Sequence, residues 1–154
     1  MRLEDFMKLD SDSIWEACEN HLPALEYFTR NLPELEYQYG IQKLKLEKLV
    51  AELDKQIREQ ALQNGIKITE KSIENSIKRN EQFVAEYQKL LELKKEIDKL
   101  KRIKMLFEHR REMISNIIRI MAASGIEVNA VDKMKKILEK WPTESMDYWE
   151  SNDE

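Results

Sequence analysis

The sequence predicts an all-α protein: a long antiparallel, coiled-coil-like helical hairpin with short flanking N- and C-terminal helices, assembling into a homo-oligomer. Three observations lead there. Between Gly65 and Gly125 the chain runs for 59 residues without a glycine or proline. Within that run Leu93, Leu100, Phe107, Ile114 and Met121 recur every seven residues, beside Phe83, Leu90 and Ile97 on the adjoining seam, which is coiled-coil periodicity. Three glycines and three prolines in 154 residues supply too little turn chemistry for a multi-stranded sheet.

Ser13 and Glu16 have capping-box spacing, so an N-terminal helix is predicted over 13–30, with Pro23 in its early turns or at a kink. Asn31 and Glu34 repeat that signature, and Pro33 suits a first turn. The first hairpin arm follows over 32–63, where Leu35, Tyr39, Leu46, Val50, Leu53 and Ile57 recur at helical spacing until Asn64-Gly65 closes it. Residues 66–68 form the tip and Thr69 caps the second arm, 69–123, which at 1.5 Å per residue would be about 80 Å long. A helix of that length in a chain of this size needs a partner. Ser124-Gly125 ends it, Asn129 with Asp132 caps a C-terminal helix over 130–141, and Trp141-Pro142 stops that one. Residues 1–140 read as a single helical domain and 142–154 as an acidic tail.

The apolar stripe widens around Met113, Ile117, Ile118 and Ile120, beyond what short flanking helices can cover. Exposed apolar surface of that extent marks an interface. Self-association is therefore expected, through Leu93, Leu100, Phe107, Ile114, Ile117, Ile118 and Met121.

Several chemistries lack their residues. Three isolated glycines make no phosphate loop. Cys18 and His21 have half the spacing of a metal site with no second pair to complete it, His109 is remote, and Cys18 reads as a buried small hydrophobe. Neither an enzyme nor a cofactor or metal is expected. The single cysteine allows no intrachain disulfide and points to a reducing compartment. No window approaches the apolar length of a membrane span, so a soluble intracellular protein is expected.

The net charge of −4 conceals an uneven distribution. Residues 1–39 carry nine acids against three bases, residues 41–80 nine bases against six acids, and residues 94–119 nine bases against four acids. Lys48, Lys55, Arg58, Lys67 and Lys71, around the hairpin turn, are the candidate DNA-binding residues, because each neutralised phosphate releases counterions and adds affinity. A ring of subunits would repeat the cluster and strengthen weak contacts by multivalency. Glu47, Glu52, Asp54, Glu59 and Glu70 interrupt it, so surface ion pairs on a solvated helix stand as the alternative. A second basic run, from Lys94 through Lys104 to Arg111, wraps the helix and overlaps the seam. Few aromatics interleave with either run, so binding would be electrostatic rather than by stacking.

The opening Met1-Arg2-Leu3-Glu4-Asp5, the turn at Gly65, the string Thr69-Glu70-Lys71-Ser72-Ile73-Glu74, and the stretch from Leu106-Phe107-Glu108-His109-Arg110-Arg111 through Gly125 to Val131-Asp132-Lys133-Met134 resemble the UvsY recombination mediators of T-even-like phages. The resemblance covers most of the chain before Lys140. It implies a cytoplasmic protein of the infected host cell. That protein would form a ring of six or seven subunits, bind single-stranded DNA without sequence preference, and help load a phage RecA-like recombinase onto strands coated by the phage single-stranded-DNA-binding protein. The family's basic pair on the helix entering the hairpin tip maps near Lys55 and Arg58, which here lie three residues apart and are followed by Glu59. The alternative from the residues alone is a coiled-coil scaffold or chaperone-like assembly protein that binds no DNA.

Overall fold

The computed structural model describes residues 2, 3, 14–125 and 128–140. Among them five helices follow in order and there is no strand: α1 (Ile14–Thr29), α2 (Leu32–Gln63), α3 (Glu70–Arg79), α4 (Glu81–Ala123) and α5 (Val128–Glu139). The expected all-α chain is what is found. The Ser13 cap, the Trp141-Pro142 stop and the acidic tail lie outside the described residues. The chain divides into two compact units, one of residues 29–103 and one built from the segments on either side, with α4 contributing to both.

In the unit of residues 29–103, α2 begins with Pro33 in its first turn, where a missing N–H is harmless. The predicted Asn31–Glu34 capping box does not form. Asn31 has helical geometry and its side chain caps nothing, while Glu34 accepts a bond from the Gln38 amide at 2.8 Å. The other end is a Schellman turn: Gly65 has φ +64°, its N–H donates to Leu62 O, and the Ile66 N–H reaches back to Ala61 O at 2.9 Å. A Cβ at Gly65 would meet no neighbouring atom, so the penalty for a side chain there is the left-handed backbone alone. Gly65→Ala is accordingly expected to cost about 1 kcal/mol, read as a small drop in the midpoint of thermal unfolding with helix content unchanged.

Thr69 caps α3, its hydroxyl accepting from Ser72 N at 3.2 Å. The predicted continuous helix over 69–123 is interrupted, however. Asn80 turns extended at φ −66°, ψ 126°, ends α3, and presents Oδ1 to Phe83 N at 3.0 Å as the cap of α4. Asparagine can break a helix without help from glycine or proline, because its short amide competes for backbone N–H groups. The break lets α3 lie back on α2, where Leu49 and Leu53 pack against Ile73 and Ile77, bordered by Val50, Ile57, Ile68 and Phe83.

The first part of α4 runs antiparallel to α2. Lys45 meets Glu86 at 3.0 Å, and Lys101 meets Glu36 at 3.5 Å. Glu86 is buried and accepts from Gln42, Lys45 and Lys89, with the Gln42 bond foremost in holding its carboxyl down to about 2. Leu90 and Ile97 are buried on this side of α4, and Leu93 and Leu100, expected at an interface between copies, are already half-buried within the chain.

The second unit packs α1, the end of α4 and α5 around Ile14, Ala17, Cys18, Ile114, Ile118, Val131 and Met134. Phe107 and Ile114 are 0% exposed and Ile118 1%. These three were expected to face another subunit, and instead they form the core of their own chain. Ile117 and Met121, also expected at the interface, border the same core. The physical reason is that α1 and α5 together supply enough apolar surface to close over this part of α4. Asn129, predicted to cap the last helix, lies within it.

A buried polar group completes this core. Arg110, counted in the second basic run, is 3% exposed, and its Nη1 donates to Ala17 O at 3.3 Å and to His21 Nδ1 at 2.9 Å. Because guanidinium only donates, His21 Nδ1 must hold a lone pair and the ring proton sits on Nε2. His21 also meets the Phe107 ring edge-on, with centroids 5.5 Å apart. Burial, with Arg110 and Arg111 adding repulsion, lowers the His21 pKa to about 4. Burial raises the Cys18 thiol to about 11, so Cys18 is an inert core residue rather than a nucleophile.

Candidate nucleic-acid interface

The five lysine and arginine residues singled out by the sequence do not form one site. Arg58 is committed to carboxylates: its Nε and Nη2 grip Asp54, at 2.8 Å from Nε, and Nη2 also reaches Glu70 at 2.7 Å. Glu70 is the first residue of α3, so this clamp ties the start of α3 to the last turns of α2. The bond to Glu70, followed by that to Asp54, pushes the Arg58 pKa up, and both carboxyls are held below their usual range by Arg58. Arg58 is a strut, and its charge is balanced twice over. Lys55 lies 3.8 Å from Glu59 at the surface of α2. Lys48 is exposed and has no ion pair among the described residues. Lys48 and Lys55 stand two turns apart on the side of α2 opposite Leu49 and Leu53, and therefore away from α3.

Of the remaining two, Lys71 lies where the structure concentrates polar groups free of acid, two turns short of Arg79. Thr69, Lys71, Ser72, Asn75, Ser76 and Arg79 line a shallow depression of about 360 Å³ along α3. On this amphipathic helix Ile73 and Ile77 face α2, which leaves Lys71, Ser72, Asn75, Ser76 and Arg79 on the exposed side. The acids of the helix are drawn off this face: Glu70 is held by Arg58, and Glu74 pairs with Lys78. What remains is two cations a little over two turns apart with hydroxyl and amide groups between them, and Lys67 in the loop just before. Ser76 donates to Ser72 O, so its hydroxyl oxygen keeps lone pairs and both serines offer short polar contacts.

Chemically this face suits an extended polyanion. Ammonium and guanidinium groups neutralise phosphates, while hydroxyl and amide groups bond phosphate or sugar oxygens without reading bases. Arg79 belongs to the basic run around the turn, whereas Ser72, Asn75 and Ser76 were not among the residues picked from the sequence. The signal was their spacing of three and one along a ten-residue helix with its acids out of phase, visible once the break at Asn80 is placed. No aromatic side chain lines the depression.

Among the described residues no group of three or more His, Cys, Asp or Glu could hold a metal ion, and no helix is long and apolar enough to cross a membrane. No protein-family model, curated protein or solved structure matches the chain.

Proposed function

We propose that this protein is a recombination mediator of the UvsY type: an oligomeric, sequence-independent single-stranded-DNA-binding protein that helps load a RecA-like recombinase onto strands coated by single-stranded-DNA-binding protein, in the cytoplasm of a phage-infected cell. The observation that carries the DNA-binding part is the acid-free face of α3, with Lys71 and Arg79 at its ends and Lys67 beside it. The recombinase, the coating protein and a ring of six or seven copies rest on the resemblance of the opening, turn and closing strings. The mechanism is electrostatic: the cations of α3 replace counterions condensed on the phosphates, each copy adds its contacts, and the bases stay unread for pairing by the recombinase.

A second reading, a helical scaffold without DNA binding, has its own observation. Lys55, Arg58, Lys78 and Lys99 all stand in ion pairs with acids of the same chain. Anisotropy titration of labelled single-stranded DNA at several salt concentrations separates the two. The mediator reading expects affinity that falls steeply with salt, and a Lys71→Ala/Arg79→Ala variant whose log–log salt slope is shallower by about 0.7 per lost phosphate contact. Lys55→Ala is expected to change the slope little. Absence of binding at low salt would leave the scaffold.

A further inference from the structure

The outward side of α2 carries a stripe that the fold leaves uncovered. Glu34, Tyr37, Ile41, Leu44 and Lys48 follow at spacings of three, four, three and four, which places them along one side of the helix. Leu49 and Leu53, packed on α3, occupy the opposite side. Tyr37, Ile41 and Leu44 are 66%, 51% and 49% exposed. Three large apolar side chains at heptad spacing on the solvent side of a helix form a seam without a partner.

The order of residues identifies what covers it. The stripe reads acid, three apolar residues, base. Laid antiparallel on a second copy of itself, it sets Ile41 against Ile41, Tyr37 against Leu44, and Glu34 against Lys48 at both ends. Lys48 has no ion pair among the described residues, and the Glu34 carboxylate receives the amide of Gln38 from its own helix. A second feature lies beside the centre. Gly40 interrupts a 32-residue helix, and nothing stands within 4 Å of where its Cβ would be. An interior glycine weakens a helix, and the packing of this chain offers no reason for one there; a second backbone crossing beside it would use the missing side chain.

We propose that α2 docks on α2 of a second copy about a two-fold axis at Ile41, as an antiparallel pair closed at each end by a Glu34–Lys48 ion pair. Such a contact is isologous: the same patch serves both partners, and copies associate in pairs. It also gives Lys48 a role other than phosphate binding and leaves the face of α3 open. The pairing does not depend on the DNA-binding reading and is tested without DNA.

Sedimentation equilibrium of the full chain over a wide concentration range provides the test. Lys48→Glu places two like charges at each end of the pair and is expected to weaken its association by about tenfold or more. Glu34→Lys/Lys48→Glu, which exchanges the two charges within each copy, is expected to recover the original association. Under mild oxidation Ile41→Cys is expected to form a disulfide-linked dimer, whereas Leu62→Cys, on the same helix but 83% exposed and far from the axis, is not. All these positions are exposed, so helix content by circular dichroism should be unchanged in every variant. A monomeric wild type, an unchanged association in Lys48→Glu, a double variant that stays weakened as in head-to-tail packing, or an Ile41→Cys chain that does not cross-link would each overturn the pairing.

Discussion

Phe107→Ala is expected to lower folding stability by about 3–5 kcal/mol, with a loss that does not depend on protein concentration. The side chain is 0% exposed and touches rings from α1, with Phe28 6.1 Å and His21 5.5 Å away between centroids. Truncation removes the transfer free energy of the ring and leaves a cavity beside a buried arginine, where collapse is hindered by the bonds that hold Arg110 to Ala17 and His21. Native proteins are stable by roughly 5–15 kcal/mol, so this one change removes a large share. Denaturant unfolding at two protein concentrations tenfold apart makes the check. If Phe107 faced another subunit, as the seven-residue repeat alone suggests, the variant would fold as a monomer and its loss would diminish as concentration rises. A midpoint within error of the wild type would remove Phe107 from the core altogether.

The same repeat shows how far the sequence could be read. Leu93, Leu100, Phe107, Ile114 and Met121 mark a side of the helix that the fold covers wholly or in part, since period alone reports which side of a helix is buried. Period does not report whose surface buries it. That depended on whether α1 and α5 are broad enough to close over the end of α4, and Ile14, Cys18, Val131 and Met134 turn out to be sufficient. The break at Asn80 escaped for a different reason: its signature is an amide reaching the N–H three residues on, a weaker signal than glycine or proline. The basic residues around the turn were legible as a group, and their pairing with acids was not. Asp54 four residues before Arg58 is a local pattern, but Glu70 comes from beyond the turn, and only the folded chain brings both carboxylates onto one guanidinium. Once Glu70 and Glu74 are seen to be occupied, the cationic face shifts from α2 to α3.

Acidification from pH 6.5 to 4 is expected to remove up to about 3 kcal/mol of stability through His21 alone. In the unfolded chain this histidine titrates near 6.5, whereas in the fold its pKa is lowered to about 4. Between those values the unfolded chain binds a proton that the native chain refuses, so stability is full above about 6.5, declines as pH falls through the interval, and loses nothing more from this group below about 4. The cause is structural. Burial disfavours the charged ring, and the Nδ1 that would take the proton is already the acceptor for Arg110, so protonation would break that bond and set two cations together in an apolar core. Carboxylates also lose their partners in acid, Glu86 among them: its share of the loss begins as pH falls through the ordinary glutamate value of 4.5 and continues down to its native value of about 2. His21→Asn isolates the effect, because an amide oxygen can accept from Arg110 and does not titrate. Stability measured at intervals from pH 7.5 to 4 should decline steeply for the wild type and much less for the variant. Parallel curves would show that His21 does not remain neutral in the fold.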